Sequence, residues 1–348
     1  MDILNFIRVN DSSRIPKYRQ IVDSLVYNVS VGNLKMGQKI PSINVLSEEL
    51  YLSRDTVEKA YKILKKRKII SSTPGKGYYI TQTKFLDKTN ILFLVNKLSP
   101  YKMRIYNSFI SHMGANSHTG IRVYHCDESL FIDILEKNLG GYDYYIIMLH
   151  FLSKDNKHIS APKAIVNLVN KIPKQKLLIL DNRVPSIKGE HMGIYQDFEN
   201  DIYFALKSGL GKISKYKKII LIYPEKAIYP YPRRILHGFK KFCIEQDLDF
   251  ETLEEVYEDM ILRKKELFVV IEESDLVSLV RLIRDQSWQL GEDIGIISYN
   301  DTPLKDLLGI SVISTNFGLM GETAANMILN KKKGVIKNPF SLIDRNSI

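Results

Sequence analysis

A cationic stretch between residues 59 and 68 is the part of this sequence whose residue types and spacing point most directly to a chemistry. Its cations are Lys59, Lys62, Lys65, Lys66, Arg67 and Lys68. Ser53 is a good helix N-cap, and an apolar stripe follows it at helical spacing. The members of the stripe are Val57, Ala60, Tyr61 and Leu64. The opposite face carries Arg54, Thr56, Lys59, Lys62 and Lys66. That composition is typical of a face that contacts phosphates.

The neighbouring elements matter, because a lysine run on a helix is most often only a solvated face. Ser42 opens an earlier short helix, and Tyr51-Leu52 makes a tight connection to the cationic helix. Two short helices joined in this way predict a helix-turn-helix, whose second helix enters the major groove.

A wing is predicted behind these helices. Residues 69–72 and 78–81 are rich in strand-forming residues, and residues 73–77 supply the glycine and proline of a turn. Lys76 at the tip of the turn would reach a minor groove or a phosphate. An earlier helix with one apolar stripe completes the domain, and its stripe is Tyr18, Ile21, Val22, Leu25 and Val29.

Motifs at residues 32–42, 52–57 and 75–78 occur in an order that resembles the N-terminal winged helix-turn-helix of GntR-type transcriptional regulators. The resemblance implies double-stranded DNA as a partner. It implies DNA contacts by Ser42, Ser53, Arg54, Thr56, Gly75, Lys76 and Gly77, to which we add Asn44 and Lys59. Asn44 and Glu58 stand where the family often has a base-reading arginine, so the operator sequence does not transfer from better-known members.

The charge distribution agrees with a nucleic-acid partner for the N-terminal part. The 348 residues include 50 Lys and Arg against 39 Asp and Glu, a net charge of +11. Residues 1–84 carry 15 of the basic and 7 of the acidic residues, or +8. A basic module on a nearly neutral remainder is expected when one domain contacts nucleic acid and the other binds something else.

Cysteine content and hydropathy favour a cytoplasmic protein. Cys126 and Cys243 each lie in a patterned segment, so we expect reduced core residues rather than a disulfide framework. No secretory signal and no apolar run of membrane-spanning length is present in the sequence, and we expect no membrane partner.

Residues 82–89 break both periodicities and predict a linker between a DNA-binding domain at 1–81 and a second domain at 90–348. Near-continuous apolar runs follow at residues 91–95, 121–124, 144–149, 177–180, 219–223, 267–271 and 294–297. Such runs are typical of strands buried on both faces of a parallel sheet. Amphipathic segments separate them at 102–116, 197–209, 232–245 and 276–286. The alternation predicts a doubly wound α/β fold, and the number of strands predicts two Rossmann-like lobes.

Further motifs lie at residues 91–100, 141–147, 178–183, 234–239, 291–301 and 313–321. In this order they resemble the effector domain of LacI-type repressors, itself similar to periplasmic sugar-binding proteins. Together, the two resemblances match the arabinose-repressor branch of the GntR regulators. Such a fold binds its ligand in a cleft between lobes, at the carboxyl ends of strands. The candidate effector contacts are then Ser99, Tyr101, Asp181, Arg234, Ser274, Asn300 and Phe317.

These residue types suit a sugar, whose hydroxyls need donors and acceptors and whose ring needs an aromatic face. Ile235 stands at the usual arginine position, with Arg234 beside it, while Ser274 and Asn300 replace a family asparagine and aspartate. The identity of the ligand therefore does not transfer. Each candidate also has a purely structural alternative, such as loop capping by Asp181 or core packing by Tyr101 or Phe317.

An enzyme is the main rival class, but the sequence contains no nucleophile elbow, zinc-protease motif or Walker phosphate loop. Gly209-Leu210-Gly211 is better interpreted as a helix end than as a dinucleotide fingerprint. The histidines show no metal-ligand spacing, and they are His112, His118, His125, His150, His158, His191 and His237. We therefore expect neither a metal nor a cofactor.

The sequence thus predicts a one-component transcriptional regulator, most simply a repressor, that pairs as a homodimer on a pseudo-palindromic operator. A small polar effector, a sugar or sugar phosphate, would close the lobes and change the affinity for DNA. The alternative is a cytoplasmic carbohydrate-processing enzyme with an accessory DNA-binding head, which would turn its ligand over.

Overall fold

The computed structural model describes residues 3–13, 15–30, 33–81, 88–114, 117–153, 155, 157–225 and 227–348. The chain divides into two compact units, Met1–Lys88 and Thr89–Ile348. Most of the predicted linker, residues 82–87, lies outside the described residues.

The first unit is a winged helix-turn-helix, as predicted. Its elements are α1 (Lys17–Ser30), β1 (Lys39–Ile40), α2 (Ile43–Glu49), α3 (Arg54–Lys66), β2 (Ile70–Thr73) and β3 (Gly77–Ile80). The predicted caps form, because the side chains of Ser42 and Ser53 accept hydrogen bonds from the backbone N–H groups of Val45 and Thr56, each at 3.3 Å. The apolar stripes of α1 and α3 pack together in one core. The short strand β1, which the sequence analysis did not predict, pairs with β3 in the order β1-β3-β2.

The second unit alternates strands and helices. Its strands are β4 (Thr89–Val95), β5 (Ser117–Val123), β6 (Tyr144–Met148), β7 (Phe151–Leu152), β8 (His158–Ile159), β9 (Leu177–Asp181), β10 (Met192–Tyr195), β11 (Lys218–Ile222), β12 (Phe250–Leu253), β13 (Glu266–Val270), β14 (Gly295–Tyr299), β15 (Ser311–Thr315), β16 (Gly334–Lys337) and β17 (Phe340–Ile343). Its helices are α4 (Pro100–Met113), α5 (Glu128–Asn138), α6 (Lys163–Val169), α7 (Phe198–Ser208), α8 (Leu210–Ile213), α9 (Arg234–Glu245), α10 (Glu273–Asp285), α11 (Pro303–Leu307) and α12 (Phe317–Leu329).

Two sheets form two lobes, which confirms the prediction of a two-lobed α/β domain. The first sheet has the order β16-β10-β9-β6-β4-β5 and is parallel throughout. The second has the order β12-β11-β13-β14-β15-β17 and is parallel except for β17. Alternate residues of β4 enter separate cores, Phe93 on one face and Leu94 on the other. Helices cover both faces of such a sheet, which explains why its strands are almost continuously apolar.

Three connections cross between the lobes, from β10 to α7, from β15 to α12 and from β16 to β17. The Asn338 side chain ties two of them together, because its amide donates to Thr315 Oγ1 at 2.8 Å and to the Asn316 carbonyl at 3.0 Å. The backbone N–H of Asn316 donates in turn to the carbonyl of Pro339 at 3.0 Å. These short segments are where the lobes can rotate against each other.

Candidate functional site

The predicted DNA contacts lie at the start of α2, at the start of α3 and in the turn between β2 and β3. The exposed members are Ser42, Asn44, Ser53, Arg54, Lys59, Gly75 and Lys76. Thr56 and Gly77 are half-buried. Exposed backbone and side-chain groups at the first turn of a second helix and at a wing are the parts of this motif that can reach DNA.

Contacts within the unit distinguish among the cations of α3. The Lys59 ammonium lies 4.1 Å from the centre of the Tyr18 ring, and Lys62 forms an ion pair with Glu58 at 3.0 Å. Among the described residues, no carboxylate pairs with Arg54 or Lys76. Arg54 and Lys76 are therefore exposed cations whose charge is available to phosphates.

The turn between β2 and β3 holds Lys76 at its tip. Gly75 and Gly77 have φ values of +71° and +104°, where residues with a Cβ are strained. A Cβ on Gly77 would also lie 3.1 Å from Cε of Lys39. The hydroxyl of Tyr79 donates to the carbonyl of Lys76 at 2.9 Å, which fixes the backbone of the tip.

A cleft lies between the two lobes of the second unit and contains about 680 Å³ of empty space, part of it open to solvent. Strand ends and helix starts supply its lining, which is Asn96, Lys97, Ser99, Tyr101, Lys102, Ile105, His150, Asp181, Gln196, Phe198, Tyr229, Pro230, Tyr231, Pro232, Ile235, Tyr299, Asn300 and Phe317. The cleft thus occupies the place where parallel α/β folds bind ligands.

A buried carboxylate organises the first-lobe side of the cleft. Asp181 ends β9 with a φ of +78° and accepts hydrogen bonds from Lys102 Nζ at 2.9 Å and His150 Nε2 at 2.7 Å. Its other oxygen accepts from the side-chain amide of Gln196. Burial by itself would raise the pKa of Asp181, but the Lys102 ammonium and the hydrogen bonds from Lys102 and His150 hold that pKa well below its ordinary value. The carboxylate is therefore charged, and its lone pairs are largely used inside the protein.

His150 extends this network to His158 in β8. The two rings approach to 2.8 Å between His150 Nδ1 and His158 Nε2. Burial lowers the pKa of His150, and it lowers the pKa of His158 to about 3, so both rings are neutral. Since His150 Nε2–H donates to Asp181, its Nδ1 must accept from His158 Nε2–H. With both ring nitrogens engaged in this way, His150 is poorly placed to act as a general base.

Aromatic and unpaired polar groups complete the cleft. Tyr101 and Phe317 stack with ring centres 5.3 Å apart and an angle of 27° between their planes. Three lining atoms, Asn96 Oδ1, Asn300 Oδ1 and the Tyr299 hydroxyl oxygen, are buried and have no hydrogen-bond partner among the described residues. Unpaired buried polar atoms are costly unless a ligand or water satisfies them. The arrangement can bind a small molecule that offers several hydroxyls and one apolar face.

Lys305 lies beneath the Asn300 loop and is 1% exposed. Its ammonium donates to the carbonyls of Tyr299 at 3.0 Å and Asn300 at 2.9 Å. These bonds hold Asn300 at a φ of +64°. Burial lowers the pKa of Lys305 to about 8, against the opposing effect of Glu273.

Five of the seven candidate effector contacts lie together along the cleft, namely Ser99, Tyr101, Asp181, Asn300 and Phe317. The Ser99 hydroxyl caps α4 by accepting from the backbone N–H of Lys102 at 3.3 Å. Ser274 and Arg234 do not line the cleft. Ser274 is exposed because α10 begins at Glu273, three residues before the predicted start, and so lies on its first turn. Arg234 begins α9, with its guanidinium carbon 5.3 Å from the centre of the Phe198 ring, which does line the cleft.

Sequence reasoning missed Asn96, Lys102, His150 and Gln196, although each lies on the cleft. A signal existed for Asn96 and His150, because they lie within two residues of the ends of the predicted strands β4 and β6, whereas Gln196 follows β10, which was not predicted. Lys102 lies inside a helix and had no such signal.

Among the described residues, no group of three or more His, Cys, Asp and Glu side chains could hold a metal ion. The same part of the chain contains no helix that is both long and apolar enough to cross a membrane.

Comparison with known proteins separates the two units. Residues 17–80 match the family model of bacterial regulatory proteins of the gntR family, and residues 213–348 match the periplasmic binding protein-like domain. The HTH-type transcriptional repressor YtrA of Bacillus subtilis (strain 168) is 34% identical over 76 residues, which are 22% of this chain and 58% of that protein. Five curated relatives match, and the aligned segments span between 14% and 58% of their lengths.

Solved structures share the fold of the second unit at low sequence identity. The trehalose repressor from Escherichia coli matches with a TM-score of 0.58 and 12% identity, over 74% of this chain and all of that one. A LacI family transcriptional regulator from Lactobacillus casei with bound glucose matches with a TM-score of 0.57 and 13% identity, over 74% of this chain and 99% of that one. The second unit therefore has the fold of LacI-type effector domains.

Proposed function

The chain joins a DNA-binding domain of the gntR family to a periplasmic-binding-protein-like domain, and we propose from this that it is a transcriptional regulator controlled by a small molecule. The first unit would bind an operator, and the cleft of the second would bind the effector. The predicted linker of residues 82–89 would connect the two units, except that Thr89 already belongs to β4 of the second unit. The observation that carries the proposal is the cleft itself, where unpaired polar atoms and a stacked aromatic pair meet between two lobes.

Arg54 and Lys76 support the DNA-binding half of the proposal, since both are exposed and without a carboxylate partner among the described residues. They belong to the two parts of the motif that approach DNA, the second helix and the wing. We take the regulator to be a repressor because relatives of each unit, YtrA and the trehalose repressor, carry that name. A transcriptional regulator must have access to chromosomal DNA, which agrees with the expected cytoplasmic location.

A sugar or a sugar derivative is the effector class that suits the cleft. Hydroxyl groups of such a ligand would satisfy Asn96 Oδ1, Asn300 Oδ1 and the Tyr299 hydroxyl, while its apolar face would contact Tyr101 or Phe317. The bound glucose in the Lactobacillus casei neighbour supports this class. Closure of the lobes around the ligand would change the affinity for DNA. The size of that change is limited by how much more tightly the ligand binds the closed state than the open state.

A homodimer is part of the proposal, because two DNA-binding units on one pseudo-palindromic operator require two chains. The second unit offers a surface for pairing at α11. Leu304, Leu307 and Leu308 are 56%, 83% and 42% exposed there, while Lys305 between them is buried. A leucine surface of this kind is unusual unless it is covered.

The test combines DNA binding and ligand binding on the full chain. A duplex selected from a random library by the protein is labelled, and its affinity is measured by fluorescence anisotropy with and without each sugar of a panel. A sugar that stabilises the protein to heat should also change the DNA affinity. The rival enzyme function predicts product formation on incubation with the same sugar, and failure to select any duplex would reject the regulator.

A further inference from the structure

We propose that the effector is an anionic carbohydrate, bearing a phosphate or a carboxylate, and that Lys97 is the side chain that receives the negative charge. This inference rests on the proposed function and narrows the class of its ligand.

Lys97 follows β4 directly and lines the cleft. Its ammonium lies 4.8 Å from the centre of the Tyr229 ring and 5.5 Å from that of Tyr231, both on the opposite lobe. Among the described residues, no carboxylate forms an ion pair with it. Lys97 is half-buried, and this burial lowers its pKa. A half-buried cation held by aromatic faces can still gain from a charged ligand.

Lys97 carries the one charge among the described side chains of the lining that no opposite charge in the lining balances. The charged residues that line the cleft are Lys97, Lys102 and Asp181, and the last two neutralise each other at 2.9 Å. His150 is neutral because burial lowers its pKa. The Glu272 carboxylate raises the pKa of Lys97 against the larger effect of burial, but it forms no ion pair with Lys97 among the described residues and does not line the cleft. Among the described residues, the side chains that line the cleft therefore carry one net positive charge, while Glu272 and Glu273 lie outside the lining.

The start of α4 adds to this field. Ser99 caps this helix of 14 residues, and both Ser99 and Tyr101 line the cleft. The first turn contains no acidic residue. The N-terminal end of a helix carries a partial positive charge and favours anions. Lys97 precedes the cap by two residues, so both contributions act on the same end of the cleft.

The unpaired polar atoms of the cleft indicate that the anionic group is part of a carbohydrate and not a free inorganic anion. Asn96 is 95% buried and Tyr299 is 97% buried, and within the described part of the chain neither Asn96 Oδ1 nor the Tyr299 hydroxyl has a hydrogen-bond partner. An oxygen acceptor such as Asn96 Oδ1 repels a bare anion and binds a hydroxyl. A molecule with hydroxyl groups and one negatively charged group can therefore satisfy both the unpaired polar atoms and the Lys97 ammonium.

The experiment compares matched probes on the full chain at constant ionic strength. Thermal shift and calorimetry are run with glucose, glucose 6-phosphate, glucuronate and inorganic phosphate. In the wild type, at least one charged sugar should stabilise the protein more than glucose, and the phosphate and carboxylate probes show which anion is preferred. Lys97→Met should weaken binding of that sugar about ten-fold. Lys97→Arg should retain most of it, and the exposed control Lys332→Met should change nothing.

Equal stabilisation by glucose and by its charged derivatives would overturn the proposal, as would a charged-sugar preference that survives in Lys97→Met. Failure of all three anionic probes to bind would also reject it. The proposed function and the proposed anionic effector can fail separately. A neutral sugar that binds in the cleft and releases DNA would support the regulator and reject the anionic effector.

Discussion

The hydroxyl of Tyr101 donates a hydrogen bond to the Glu273 carboxylate at 3.2 Å and so links α4 of the first lobe to α10 of the second at the edge of the cleft. Lys305 Nζ lies 3.8 Å from the same carboxylate oxygen and 3.5 Å from the Tyr101 hydroxyl. Burial raises the pKa of Tyr101, so its phenol remains a donor. Because the Tyr101 ring also stacks on Phe317, a ligand that touches this ring is coupled to the contact between lobes.

Tyr101→Phe and Glu273→Gln should each weaken effector binding, because they remove or weaken a bond that holds the lobes together around the ligand. The Glu273 side chain is 51% exposed, so water screens this bond and we expect a loss of about two- to five-fold. Calorimetry measures the effect, with DNA affinity in the absence of effector as the control. The double variant should lose little more than either single variant, and fully additive losses would show that the two residues act separately.

Stability should depend on the pH through Lys305. Its pKa in the folded chain is lowered from 10.5 to about 8, so between these values the unfolded chain holds a proton that the folded chain has released. The contribution of Lys305 to stability therefore rises as the pH increases through this window and is flat below it. Relative to Lys305→Met, the wild type should gain at most about 3 kcal/mol between about pH 7.5 and pH 10 in urea unfolding. If the difference in the free energy of unfolding between the wild type and Lys305→Met did not change with pH, the lowered pKa of the buried Lys305 would be contradicted.

Asp181→Asn should destabilise the second unit, because it leaves Lys102 buried without its counter-ion. Both residues are at most 9% exposed. Breaking one side of a buried pair costs about 3–5 kcal/mol, whereas replacing both sides often costs little. Urea unfolding of Asp181→Asn and of Asp181→Asn with Lys102→Met compares the two cases. A double variant as unstable as the single one would mean that the ion pair is not the source of the cost.

Arg54→Ala and Lys76→Ala should each weaken DNA binding and leave effector binding unchanged. Each variant removes one cation that can contact phosphate, so the dependence of log affinity on log salt should become shallower by about one. Fluorescence anisotropy over a salt series gives this slope. Lys332→Ala removes an equal charge from the second unit and serves as the matched control. Parallel salt curves for all four proteins would count against the proposed DNA contacts.

Features that depend on neighbouring residues could be predicted from the sequence. Contacts between residues far apart in the sequence could not. Ser42 and Ser53 were recognisable as caps because capping depends on residues three positions away. The network around Asp181 joins residues 79, 31 and 15 positions distant, and no periodicity reports such contacts. Ser274 shows the opposite error, since a shift of three residues in the start of α10 turns a cleft position into an exposed one.

The two lobes were predictable because strands buried on both faces have a distinctive composition. The strands β10, β15 and β16 were not, since glycine or polar residues shorten the apolar run in each of them. Gln196 directly follows β10, so its position at a strand end became recognisable only with the structure.

The most direct test of the account measures the DNA affinity of the full chain before and after a ligand fills the cleft. A duplex selected by the protein is titrated in the presence and absence of a sugar that stabilises the wild type but not Asn300→Ala. We expect a change in DNA affinity of about five-fold or more in the wild type and none in Asn300→Ala. Identical DNA affinity with the cleft empty and filled would contradict it.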